Sequence, residues 1–323
     1  MSSTSNAPED GPRAGAASDE FPRFVASQRA RVEAALETWL PVSDAPGTER
    51  FNEAVRYAVF PGGKRLRPLL TLVASGLGGA SGEQALMHGC AVEFIHTSSL
   101  VLDDLPSMDD AELRRRRPAL HLAYGEGMAL LVAVALLNQS YVLFAGSARD
   151  GEQAARLPRL IREVVGCVGG AGMIAGQAVE LALSGERSDD AVLASRELKT
   201  TGLMRLMMVA GGILAGAPDG DTNALAAFGE SLGRAYQIYD DLADAWGDQQ
   251  STGKSVGQDL RHLRPTVVRG LSPEEARELS AGVVASGKEA LARFGGRPEA
   301  RLLRSAADHI ILHLAGSFSK PAA

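Results

Sequence analysis

Two cysteines in 323 residues, Cys90 and Cys167, are too few for a disulfide framework, and neither stands in a metal-ligand spacing. A reducing compartment, the cytoplasm, is the expected location. Positive charge is not in excess: 33 basic against 39 acidic side chains give a net charge of −6, which speaks against a protein living on nucleic acid. Strand-like alternation is nearly missing, and no long Pro/Gly/Ser linker divides the chain. Residues 1–20 lack the basic start and apolar core of a signal peptide and read as a disordered leader to a domain of residues 21–323. The C-terminal GSFSKPAA shows no lipidation signal. The most apolar run, residues 128–137, is cut by Asn138, Gln139 and Ser140. That is short of the roughly 20 residues a membrane span requires. It is expected to form a helix buried on all sides, with no span.

What is present is helical. At 45% hydrophobic and 22% charged, the chain can build a core, so intrinsic disorder is excluded. Apolar residues recur at three- and four-residue steps from Phe21 onward. In RARVEAALETWL, Val32, Ala35, Leu36 and Leu40 share a face. Ser272-Pro273-Glu274-Glu275 has the composition of a helix start. The pattern predicts one all-α domain.

Two acidic motifs interrupt the apolar helices. In YQIYDDLADAWGD, Asp240 and Asp244 lie four residues apart and project from one helical face, with Asp241 between them. Such carboxylates repel unless a cation joins them. On its own a DDxxD is more often a solvated helix end. Here the preceding Leu232, Ala235, Tyr236 and Ile238 predict burial. The other motif, DDLPSMDD, places Asp103, Asp104, Asp109 and Asp110 after the apolar AVEFIHTSSLVL. Four carboxylates in eight residues make a hard oxygen site suited to Mg²⁺. Ideal helical geometry sets Asp110 above Asp103, but Pro106 can bend the turn, so spacing leaves Asp109 and Asp110 as alternatives.

Basic residues follow the acids. Arg114 to Arg117 stand just beyond DDLPSMDD, and GGKRLRP, Lys199-Thr200 and GKSVGQD repeat the theme. A four-arginine run is usually a solvated face, and no aromatic interleaving supports nucleic-acid binding. Beside a Mg²⁺-type cluster, arginines can grip a diphosphate whose other oxygens the metals hold.

Across residues 51–266 the order GGKRLRP, EFIHTSSLVLDDLPSMDD, LRR, KT, QIYDDLAD, GKxxGxD is similar to the motif series of the trans-isoprenyl diphosphate synthases (polyprenyl synthetases). The resemblance implies an all-α domain of the isoprenoid synthase type, helices around a deep central cavity, and a homodimer. It implies Mg²⁺, three ions with substrate bound, held by Asp103, Asp109 and Asp240 with Asp104, Asp241 and Asp244 in support. It assigns Arg114, Lys199 and Lys254 to the allylic diphosphate. Lys64, Arg67, His96 and Arg115 take isopentenyl diphosphate, and Thr200 and Gln237 turn oxygen dipoles to the developing allylic cation. The likeness is nearest to bacterial geranylgeranyl diphosphate synthases. Ser98 and Ser99, one turn before Asp103, are small where an aromatic would floor a shorter pocket, which favours a C20 over a C15 product. The sequence departs from the family at Arg116 (usually Gly), Ala119 (Thr), Val134 (Asp), Gln258 (Lys) and Arg264 (Lys).

Two other readings share this scaffold. A terpene cyclase needs no isopentenyl site, so the presence of Lys64, Arg67, His96 and Arg115 argues against it. A non-catalytic partner subunit is expected to lose an aspartate motif, and both motifs are intact.

Overall fold

The computed structural model describes residues 19–60, 62–80, 82–182, 189–246, 268 and 271–316. Among the described residues the chain forms twelve α-helices, one 3₁₀ turn (Leu291–Phe294) and one two-stranded hairpin. The amphipathic stripe read from the sequence becomes α1 (Glu20–Thr38), which buries Phe21, Val32, Ala35 and Leu36. α2 (Glu49–Val59) and α3 (Leu66–Leu77) follow. α4 (Gly82–Asp103) buries residues around its whole circumference, Cys90, Val92, Phe94 and Ile95 among them, and is the central post of the fold. It packs against α1, α3, α6 and α9.

Beyond α4 come the hairpin β1 (Leu113–Arg114) and β2 (Arg117–Pro118), then α5 (Leu120–Tyr124), α6 (Glu126–Gly146), α7 (Gly151–Val168) and α8 (Met173–Ala182). α9 (Asp189–Ala215) and α10 (Asp219–Trp246) pair along their lengths. α11 (Pro273–Ala290) packs on α10, and α12 (Pro298–Gly316) returns to α3 and α1. Close backbone approach brings α3 to α9: a Cβ on Gly211 would lie 2.5 Å from the Cα of Ser75. α11 opens with a capping box, in which Ser272 Oγ accepts from the Glu275 amide and the Glu275 carboxylate accepts from the Ser272 amide.

α6 departs from its expectation in two ways. Asn138, Gln139 and Ser140 do not end it; the Ser140 hydroxyl donates back to the Leu137 carbonyl at 2.6 Å, so the polar residues stay inside a continuous helix of 21 residues. Nor is it buried on all sides. Ala129, Val132, Ala133, Leu136 and Leu143 face the core, whereas Leu130, Leu131, Val134 and Val142 are exposed, Val134 by 64%. By length and composition alone, Gly82–Asp103, Glu126–Gly146, Gly151–Ala182 and Glu197–Ala215 could each cross a bilayer, so the shortness of residues 128–137 excludes no span. In this fold α4 spends its apolar surface on neighbouring helices instead.

Candidate active site

The site grows from the C-terminal end of α4. The helix stops at Asp103, and the chain turns through Pro106 so that the Asp109 amide donates to the Asp103 carbonyl at 2.9 Å. That turn treats the two candidates differently. Asp109 lies near enough to Asp103 to raise its carboxyl, while Asp110, at φ 47°, points out and is exposed. Lys199 on α9 reaches Asp103 Oδ2 at 3.4 Å and Glu180 Oε2 on α8 at 3.2 Å. Burial, then Asp109 and Glu180, push the Asp103 carboxyl up against the pull of Lys199. Burial alone would lower the Lys199 ammonium, but Asp103, Glu180 and Asp109 outweigh it and hold it above its ordinary value. Three carboxylates thus surround one ammonium.

The second acidic motif is tied to the first through the residue after Lys199. Thr200 Oγ1 donates to Gln237 Oε1 at 2.9 Å, and Gln237 Nε2 donates to Asp241 Oδ1 at 2.7 Å. Asp241 is buried and Asp240 half-buried beside it on α10. The side chain of Asp244 and all of Lys254 lie outside the described residues, as do Gln258 and Arg264.

Asp104 turns to Arg114, whose Nε bonds both its carboxylate oxygens at 3.0 Å and whose Nη2 closes the fork. Burial would lower the Arg114 guanidinium, and Asp104 more than offsets it. Asp104 therefore meets a cation of the protein in this arrangement. The arginine run itself is the hairpin: Leu113 pairs with Pro118 and Arg114 with Arg117, while Arg115 and Arg116 form the turn with φ 53° and 64°. Those angles suit glycine, the residue the family usually carries at Arg116. Arg117 donates to the Phe60 carbonyl at 2.8 Å and lies 3.7 Å from the Tyr57 ring centroid.

A cation cluster stands beside the acids. Arg115 has Arg65, Arg67 and Arg114 as neighbours, and burial first, then these like charges, lower its guanidinium although Glu93 opposes them. Lys64, in the loop before α3, is also lowered by burial. Arg67 lies over the Tyr236 ring at 5.7 Å, and its buried Nε has no hydrogen-bond partner among the described residues. His96 is half-buried on α4, two turns before Asp103. Ser98 is buried with its hydroxyl on the Ala133 carbonyl of α6 at 2.8 Å; Ser99 is half-buried and bonds the His96 carbonyl. A cavity of about 300 Å³ between α7, α9 and the loop before α8 is lined by other residues, Arg162, Glu163, Cys167 and Arg205 among them.

Glu180, Glu93 and Arg65 were not singled out from the sequence. The only signal for the two acids is a lone carboxylate inside an apolar run, GQAVELAL or CAVEFIH. Among the described residues, no three His, Cys, Asp or Glu side chains converge as a ready-made metal cage. The pair Asp103 and Asp109, whose charges act on one another, nevertheless fits a divalent cation. Mg²⁺ commonly takes one or two carboxylates and completes its shell with phosphate and water.

The model of the family described as polyprenyl synthetase matches residues 48–284. The chain is 36% identical over 255 residues to the farnesyl diphosphate synthase of Bacillus subtilis, covering 79% of this chain and 86% of that protein. It is 34% identical over 288 residues to the chloroplastic geranylgeranyl pyrophosphate synthase 11 of Arabidopsis thaliana, covering 88% of this chain and 80% of that one. The crystal structure of an FPP/GFPP synthase from Zymomonas mobilis superposes with a TM-score of 0.77 at 32% identity, covering 91% and 99% of the two chains.

Proposed function

Because the chain belongs to the polyprenyl synthetase family and is a prenyltransferase, we propose that it condenses isopentenyl diphosphate with an allylic diphosphate and releases a C20 product. One observation carries the condensation: Arg67 and Arg115, with Lys64 in the loop before α3, stand beside an acidic cluster bridged by Lys199. Two diphosphates need two such places. One is held by basic side chains directly; the other is held through metal.

Asp103, Asp109 and Asp240 are the residues that would hold Mg²⁺, three ions with substrate present. When bound, Mg²⁺ supplies positive charge to the leaving diphosphate. Lys199 and Arg114 add fixed cations at the same end. Thr200 and Gln237 turn oxygen dipoles to the allylic carbon as its C–O bond ionises. The double bond of isopentenyl diphosphate, held alongside by Lys64, Arg67, His96 and Arg115, forms the new C–C bond. A proton then passes to the departing diphosphate and restores the alkene. In this reading the hydrocarbon tail lies among apolar side chains, which keep water from the cation.

The C20 assignment rests on Ser99, half-buried in the turn of α4 before Asp103, where no aromatic ring stands; Ser98 faces α6. A homodimer is supported by the exposed apolar face of α6, Leu130, Leu131, Val134 and Val142, which a second copy would cover across a twofold axis. A cytoplasmic location is supported by the two cysteines, both buried and unpaired. The test is incubation with Mg²⁺, labelled isopentenyl diphosphate and C5, C10 or C15 primers, followed by sizing of the dephosphorylated products. A C20 alcohol is expected. A C15 end point overturns the chain length, and cyclic hydrocarbon or no incorporation overturns the condensation.

A further inference from the structure

Arg65 ends the GGKR loop, at the residue before α3, and turns its side chain toward α1 and α4. Its side chain is wholly buried. Nε and Nη2 meet the two carboxylate oxygens of Glu33 on α1 at 3.1 and 3.0 Å, and Nη1 meets Glu93 on α4 at 2.5 Å. Nη2 also donates to the Val59 carbonyl at 2.8 Å, and the guanidinium lies 5.4 Å from the Phe60 ring centroid. The backbone of Arg65 takes φ 54°, which a non-glycine residue adopts only when its surroundings impose it. A Cβ on Gly62 would fall 1.9 Å from the guanidinium carbon, so the loop can wrap this group only with glycine there. The loop is folded around its own arginine.

The wrapped loop carries the ligand side chains on either side. Lys64 precedes Arg65 and Arg67 follows it, while Gly63 faces Arg115, 3.7 Å from where a Cβ would stand. Arg29 donates to the Gly63 carbonyl, and Arg117 holds the Phe60 carbonyl from the hairpin. Glu33 is shared with Arg29 at 3.9 Å, so it ties α1 to the loop from two sides, and Glu93 opposes the like charges that crowd Arg115.

We infer that Arg65, through its buried fork to Glu33 and Glu93, is a positioning residue that sets the spacing of Lys64, Arg67 and Arg115 and hence the affinity for isopentenyl diphosphate. The inference rests on the condensation reading above. It separates the two substrates, because the allylic diphosphate is held by the other cluster.

The test replaces the buried pair with apolar groups, Arg65→Met with Glu93→Leu, since such swaps commonly keep a fold that loss of one partner would break. The expected result is a thermal midpoint near that of the parent chain, a KM for isopentenyl diphosphate raised about tenfold, and a KM for the allylic substrate within about twofold. A folded variant whose two KM values are unchanged, or rise together, overturns the inference. Glu33→Gln, at the half-exposed end of the triad, is the second arm: a KM for isopentenyl diphosphate raised about threefold supports the role, and an unchanged one overturns it. Inorganic pyrophosphate titrated in EDTA reads the cation cluster without metal and without turnover. Weaker binding by the double variant supports the inference even if the parent chain fails to condense anything, an outcome that would overturn only the functional reading. Equal binding by the two overturns the inference.

Discussion

Lys199 is shared between Asp103 and Glu180, and that sharing makes the acidic cluster sensitive to single charges. Asp103→Asn keeps the shape and removes one anion; turnover is expected to fall about 100-fold or more, measured as product formed at saturating substrates. Position 98 is a residue-scale case in which structure redirects the test. Ser98 packs its hydroxyl on the Ala133 carbonyl, so Ser98→Phe would force α4 from α6 and is expected to cost about 1–3 kcal/mol, read in thermal unfolding. Ser99→Phe, half-buried, is the variant expected to shorten the product; an unchanged C20 output would remove Ser99 from the tail wall. His88 tests burial. It is wholly enclosed, bonded to Ser147 Oγ, with its pKa lowered to about 4 by desolvation. The unfolded chain binds a proton at His88 below its ordinary value of 6.5 and the folded chain does not until about 4. Stability should therefore fall as pH drops through that window, by about 3 kcal/mol, and His88→Gln should flatten the fall in denaturant titrations.

At the scale of the element, the arginine run shows what composition conceals. Four consecutive arginines read as a solvated face or a diphosphate grip, and the hairpin makes them unlike one another: Arg114 closes on Asp104, Arg115 faces the cation cluster, Arg116 sits at the turn and Arg117 grips Phe60. No turn signal announces this, because Arg-Arg replaces the Asn-Gly such turns favour. Arg116→Gly should relieve the left-handed strain and stabilise the fold by about 1 kcal/mol, seen as a raised thermal midpoint. The acidic loop is the companion case. Pro106 left two candidates, and the turn, closed by amide donors from Asp109 to Asp103, from Asp110 to Leu105 and from Ala111 to Asp104, sets Asp109 half-buried and Asp110 exposed. By contrast the start of α11 was legible residue by residue, since a capping box depends on nothing beyond four neighbours.

For the whole molecule, α6 is the element whose surroundings matter most. Its outer face carries Leu130, Leu131, Val134 and Val142 into solvent. Leu131→Glu with Val134→Glu should leave the chain folded and give a monomer in sedimentation, where the parent chain is expected as a dimer. The sequence alone determined the helical architecture, because apolar periodicity and helix starts are local properties. It also determined the order of acidic and basic motifs, hence the chemistry of a diphosphate site. It did not determine which carboxylate of a pair turns inward, which arginine serves structure and which serves substrate, or that Glu180, Glu93 and Glu33 belong to the site. Those depend on Arg65 joining α1 to the middle of α4 and on Lys199 joining α8 and α9 to its end at Asp103, and contacts between residues far apart in the chain leave no local pattern to read.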